Sequence, residues 1–151
     1  MKIWIDGDGC PVVRQTVLLA KQCGIPCTIL CDTSHSFRTD GAEVLICDKG
    51  ADSVDYRLAN LARPGDIVVT QDYGLAAMCL SRKAIPIHQD GFVYTDENIG
   101  GLLEVRAFSG KVRRSGGRFK GPKKRTEAQD RAFILCLSQL LKEASDAGRN
   151  S

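Results

Sequence analysis

Six aspartates carry the chemistry that this sequence suggests. Asp6 and Asp8 stand two residues apart in "IDGDG", Asp52 and Asp55 three apart in "ADSVD", Asp72 closes "VVTQD" and Asp90 closes "IHQD". Carboxylates crowded within a few ångströms repel one another, and at least one of them then resists ionising. A hard divalent cation such as Mg²⁺ or Mn²⁺ relieves that repulsion. It takes oxygen ligands and is commonly held by one or two carboxylates together with water and substrate phosphate. A site of this kind activates water and neutralises charge on a phosphoryl group. The plainer alternative is that aspartates follow strands because they cap helices and open turns. Asp8 could cap the helix opened by Pro11, and Asp32 or Asp66 could be turn residues.

The acids have chemical meaning only if the chain brings them together. "KIWI" is a short apolar run of the kind a buried strand shows, and the proline after it suits the first turn of a helix. "PVVRQTVLLAKQC" has apolar residues at helical spacing, and Gly24 with Pro26 beyond it is a stop signal. Strand-like and helix-like segments then alternate. "CTILC", "AEVLICD", "DIVVTQD" and "AIPIHQD" read as strands, "KGADSVDYRLANLA" and "YGLAAMCLSRK" as helices. This alternation predicts an α/β fold, three-layer α/β/α with a mostly parallel central sheet. In such a sheet ligands bind beyond the carboxyl ends of the strands. Asp6, Asp8, Asp32, Asp48, Asp72 and Asp90 each follow a strand, so a parallel arrangement gathers them at one edge. Asp52 and Asp55, as i,i+3 neighbours, can share one helix face.

The remainder of the chain has a different composition. A helix is expected near 101–110, and "TEAQDRAFILCLSQLLKEAS" is the last helix, with Thr126 and Gln129 spaced for a capping box. Between them lies "SGKVRRSGGRFKGPKKR", a Gly-rich basic loop at about 110–125. Residues 1–100 hold 9 basic and 13 acidic side chains, residues 101–151 hold 12 and 5, and 106–125 hold nine cations and no acid. Such asymmetry points to a polyanionic partner. Residues 1–145 are expected to form a single domain and 146–151 a flexible tail.

No apolar run approaches the ~20 residues of a membrane span, and the early acids of "MKIWIDGDG" are unlike a signal peptide. The expectation is a cytoplasmic protein that does not engage membranes. Seven cysteines, an odd number, read as reduced and partly buried thiols rather than a disulfide framework. The spacing of Cys23, Cys27 and Cys31 is a weak zinc signal, because Gly24-Ile25-Pro26 interrupts it. Cys10, beside a helix start, could have a lowered thiol pKa, although a small residue in a tight turn is the simpler account. His35 and His88 are expected in loops or on the surface, and Trp4 in the core.

Taken together, "IDGDGCPV", "KGADSVDYRLA", "VVTQDYGLAAMCL" and "GPKKRT" resemble the YaiI/YqxD family of uncharacterised bacterial proteins over nearly the whole chain. That family is grouped with PIN-like domains. The resemblance to PIN and NYN domains implies a parallel-sheet nuclease holding Mg²⁺ or Mn²⁺ between clustered acids. Their pattern places an aspartate after the first strand, an acid on a middle helix, and Thr-x-Asp after a later strand. Asp6 matches the first. "KGADSVD" supplies the second, through Asp52 or Asp55, and Thr70 with Asp72 the third. Asp90 is a candidate fourth acid, and Asp8 is an addition to the pattern, as ligand or cap.

The resemblance therefore implies Asp6, Asp52, Asp55 and Asp72 as catalytic residues, with Asp6, Asp8, Asp72 and Asp90 as metal ligands. Ser53 and Thr70 would position substrate. Arg113, Arg114, Arg118, Lys120, Lys123, Lys124 and Arg125 would track a nucleic-acid backbone, RNA ahead of DNA, and Phe119 could stack on a base. Two rivals stand beside this reading. One is a PIN-like module that binds nucleic acid without cleaving it. The other is a haloacid-dehalogenase-like phosphatase with Asp6 as nucleophile, Asp8 as acid/base and Lys83 as the conserved-type lysine. In that family, however, the closing acidic pair follows the lysine, whereas "GADSVD" precedes it.

Overall fold

The computed structural model describes residues 1–32, 41–47, 53–104 and 124–149. Six strands form one sheet in the order β3-β2-β1-β4-β5-β6. They are β1 (Ile3–Asp6), β2 (Cys27–Asp32), β3 (Glu43–Cys47), β4 (Ile67–Val69), β5 (Ile85–His88) and β6 (Phe92–Val93). The first five pair in parallel, and β6 returns antiparallel beside β5. The helices are α1 (Val13–Gln22), α2 (Ser53–Leu61), α3 (Tyr73–Ser81), α4 over 96–104, and α5 (Glu127–Arg149).

Alternation along the central strands explains the three layers. Ile3 and Ile5 of β1, with Ile67 and Val69 of β4, point to one face and pack with α1 and α5 through Val13, Val17, Phe133 and Leu137. Trp4 and Val68 point to the other face and pack with α2 and α3 through Leu58, Leu75 and Cys79. A strand covered on both faces is apolar on both, which is why "IWI" of β1 and "IVV" of β4 are unbroken runs. The α/β class and mostly parallel sheet expected from the alternation are therefore present. Trp4 is in the core, 6% exposed, and its indole N–H donates to Asp66 Oδ2 at 3.0 Å.

Two features of the topology position the site. The chain winds outward from β1 to β3, then crosses back to place β4 on the other side of β1. The strand order thus reverses between β1 and β4, and the two strands lead to helices on opposite faces of the sheet. In open α/β sheets such a switch point leaves a crevice beyond the carboxyl ends. The second feature is the β5–β6 turn. Gly91 has φ +91, and its α-carbon lies against the Ala132 carbonyl and the Phe133 amide of α5. This contact fixes the start of α5 beside the carboxyl end of β5.

Several boundaries differ from expectation. Helix α1 begins at Val13, with Val12 as N-cap and no side-chain cap, so Pro11 precedes the first turn and Asp8 does not cap it. Helix α4 starts at 96, earlier than the expected 101, because Thr95 and Asn98 cap each other reciprocally. Positions 105–110 of that expected helix lie outside the described residues. The short antiparallel β6 was not foreseen. The capping box at α5 is present: Thr126 N donates to Gln129 Oε1 at 2.9 Å, and Gln129 N to Thr126 Oγ1 at 3.3 Å. Helix α5 runs on to Arg149, so the tail expected from 146 is helical over its first four residues. Ala144 and Ala147 favour that continuation. Among the described residues no helix is long and apolar enough to cross a membrane.

The Gly91 contact yields a prediction. Gly91→Ala places a β-carbon into the α5 backbone and forces a left-handed φ on an L residue. The expected cost is about 2 kcal/mol or more. Urea unfolding followed by circular dichroism measures it; an unchanged midpoint would show that α5 is not seated on this turn.

Candidate functional site

The carboxyl ends of β1 and β4 meet through one hydroxyl. Thr70 follows β4 directly, is 2% exposed, and donates through Oγ1 to Asp6 Oδ2 at 2.9 Å. The same oxygen accepts the backbone N–H of Asp72 at 2.9 Å. A Thr hydroxyl bonding a backbone N–H two residues on is a local turn motif. Here it also fixes the acid of the neighbouring strand. The Thr70 carbonyl in turn accepts from the Tyr94 hydroxyl at 3.1 Å.

Asp72 is the N-cap of α3. Its Oδ1 accepts from Gly74 N at 2.8 Å and Leu75 N at 3.2 Å, which orients the carboxylate at the helix start. Capping was the plain alternative for the aspartates, and for Asp72 it holds together with its place beside Asp6. Burial raises the Asp6 pKa to about 6; the Thr70 hydrogen bond opposes the rise, and the charges of Asp72 and Asp8 add to it. Three aspartates thus share one electrostatic neighbourhood at the switch point. Asp8 reaches sideways to β2, where both its oxygens accept from Asp32 N, at 3.3 and 3.2 Å.

The other acids are placed differently. Asp55 lies in the first turn of α2. Its charge acts with that of Asp6 on Cys79, whose thiol burial pushes up to about 12. Asp48 and Asp52 lie outside the described residues, and of Ser53 only the backbone is described. The Asp90 carboxylate is paired with Arg125 at 2.9 Å. Arg125 also meets Asp130 at 2.6 Å and the Gln89 carbonyl at 2.6 Å. Arg125, expected to contact nucleic acid, is therefore engaged inside the fold, while its neighbour Lys124 is exposed. Arg113, Arg114, Arg118, Phe119, Lys120 and Lys123 lie outside the described residues, as does His35. Among the described residues no three His, Cys, Asp or Glu side chains are grouped so as to enclose a metal ion.

One further expectation is corrected, and two of the alternatives fall away. His88 is not a surface residue: it is 8% exposed on β5, and burial lowers its pKa. Its Nδ1 accepts Asp90 N–H at 2.9 Å. The Cys10 thiol is not activated, since burial pushes it up to about 11. Lys83 sits in the turn before β5 with φ 63, at the amino ends of the strands and so opposite Asp6. It is not placed for the role a phosphatase of the haloacid-dehalogenase type would require. The described cysteines are free thiols, with Cys27, Cys31, Cys47 and Cys79 buried. Sequence reading did not identify Tyr94 or the clamp by Arg125. Both bond partners more than twenty positions away, and no local spacing signals such a contact.

Residues 4–143 match the family model described as "Uncharacterized BCR, YaiI/YqxD family". The chain belongs to the YaiI/YqxD family. Its relatives include a UPF0178 protein of Exiguobacterium sibiricum, 51% identical over 146 residues, covering 97% of this chain and 100% of that protein. A UPF0178 protein of Clostridium acetobutylicum is 43% identical over 143 residues, covering 93% and 97%. One from Enterococcus faecalis is 42% identical over 147 residues, covering 95% and 99%. Among solved structures, Rae1 (YacP) from Bacillus subtilis is similar over 76% of this chain and 80% of that chain, with 18% identity and a TM-score of 0.40.

The raised pKa of Asp6 has a stability consequence. Between about pH 4 and pH 6 the folded chain holds a proton on Asp6 that the unfolded chain has lost. Stability therefore falls as pH rises through this window, by an amount of about 2–3 kcal/mol. Asp6→Asn keeps an oxygen for the Thr70 hydroxyl and removes the charge. In chelator-treated protein, Asp6→Asn should melt higher than the native chain at pH 8 and equally at pH 4. Thermal melts at the two pH values check this; a variant less stable at pH 8 than at pH 4, relative to native, would contradict it.

Proposed function

We propose that this edge of the sheet hydrolyses phosphodiester bonds in nucleic acid, RNA ahead of DNA, as a PIN-like nuclease dependent on Mg²⁺ or Mn²⁺. The observation that carries the reading is the Thr70 link, which holds Asp6 and Asp72 together at the switch point of a parallel sheet. Concentrated negative charge there, with Asp6 held up to about 6, suits a hard cation bound by two carboxylates and water. When bound, the cation would supply charge neutralisation on the phosphoryl group and acidify water.

The chain's own residues then have distinct tasks. Asp6 and Asp72 are the ligands, their orientations set by Thr70 and by the start of α3. Asp8, tied to β2, is a further ligand candidate. Asp52 or Asp55 orients the attacking water or a second ion, and Ser53 with Thr70 positions phosphate. Asp90 is not in this set, because Arg125 neutralises it. The basic segment 106–125 follows the phosphate backbone through sequence-independent, salt-sensitive contacts. A non-catalytic binding module is the second reading, since Asp72 also serves as the N-cap of α3 and Asp8 is tied to the main chain of β2.

The test is cleavage of RNA and DNA, single-stranded and duplex, with Mn²⁺. Asp6→Asn and Asp72→Asn should each lose about 100-fold or more in rate, and a chelator should abolish cleavage. Equal rates for native and Asp72→Asn would remove Asp72 from the chemistry. Salt-sensitive binding with no cleavage by the native chain would favour the binding module.

A further inference from the structure

Four rings stand beside the acidic edge and belong to neither main core. Tyr73 directly follows Asp72, His88 ends β5, Phe92 opens β6, and Tyr94 follows β6. Phe92 lies flat on His88, centroids 4.6 Å apart and planes 10° apart. Tyr94 meets Phe92 edge-on at 5.2 Å and Tyr73 edge-on at 5.9 Å. Tyr73 and His88 are 6.2 Å apart. His88 and Tyr94 are buried, whereas Tyr73 and Phe92 are partly exposed.

The supporting rings are held rigidly. The Tyr94 hydroxyl is bonded to the Thr70 carbonyl, and His88 Nδ1 accepts from Asp90 N. Arg125 bonds Asp90 and Gln89, the two residues that follow His88, and its neighbour Lys124 is exposed. Two of the chain's three tyrosines stand here, Tyr94 buried and Tyr73 partly exposed.

We propose that Tyr73 and Phe92, backed by His88 and Tyr94, form a stacking platform for an unpaired nucleobase. The site would then take single-stranded nucleic acid in preference to duplex. The inference rests on the reading of this edge as a nucleic-acid site and names the substrate class. Stacking requires an accessible base face, which a duplex hides and a single strand offers. It tolerates any base, because every base has a π-face. Asp72 and Tyr73 are adjacent in sequence, so a stacked base holds its own backbone near Asp6 and Asp72.

Binding without turnover tests this, using fluorescence anisotropy of labelled RNA and DNA oligonucleotides with Ca²⁺ in place of Mg²⁺. The native chain should bind a single strand about tenfold more tightly than a duplex of equal length, and about tenfold more tightly than the same strand with abasic positions. Tyr73→Ala should lose about tenfold for single strands and leave duplex affinity unchanged, with Tyr73→Phe near native. The abasic strand needs no variant, so a folding defect in Tyr73→Ala leaves the test intact. Equal affinity for abasic and base-bearing strands, or no binding of either, overturns the platform. Base-dependent binding with no cleavage would instead remove the nuclease reading and keep the platform.

Discussion

The Thr70 hydroxyl is the joint on which the site depends. Strands β1 and β4 would leave any parallel sheet side by side, but their following loops depart to opposite faces. Nothing in the backbone ladder then controls where Asp6 and Asp72 stand relative to each other. One oxygen, donating to the first and accepting from the main chain of the second, supplies that control. Because Thr70 is buried, water cannot easily substitute for either partner. Tyr94 holds the Thr70 carbonyl from the far side of β5, so the joint is braced by the same rings that flank it.

Around this joint the chain neutralises some charges and leaves others opposed. Asp90 meets Arg125, which also engages Asp130, so the turn after β5 and the first turn of α5 share one guanidinium. Gly91 allows that approach by bringing the turn against the α5 backbone. Both contacts place the end of the basic segment at the carboxyl edge. Asp6, by contrast, is desolvated beside Asp72 and Asp8. Opposed charge in a desolvated place is costly to the fold and useful to a ligand.

The legible parts of the structure were those that depend on period and local chemistry. Strand–helix alternation exposed the parallel sheet, Gly24 marked the end of α1 with φ +66, and the Thr126–Gln129 spacing marked the start of α5. Thr70 and Asp72 were marked by the resemblance to PIN domains, and the structure adds that the Thr70 hydroxyl accepts the Asp72 amide two positions on. What escaped was non-local or opposed by a stronger partner. Asp8 looked like a cap by position, but the end of β2 claimed it. His88 looked like a surface residue, yet β6 folds back over it and Phe92 covers its ring. Arg125 looked like part of a basic run that tracks nucleic acid, until the fold brought two carboxylates to it.

The two ends of the sheet show why residue type alone could not separate scaffold from site. Asp66 at the amino ends is 6% exposed and accepts from Lys2 N, Trp4 Nε1 and Arg63 N, each at 3.0 Å. Its charge is met by donors, and it ties β1 to β4 where nothing need bind. Asp6 at the other end of the same strand receives the Thr70 hydroxyl and faces like charge. Both are aspartates beside an apolar strand, and both belong to the β1–β4 pair. The difference is how much of each charge the fold itself satisfies. A surplus of donors makes an acid part of the framework, whereas a deficit leaves its charged form unfavourable, which is why the Asp6 pKa is raised.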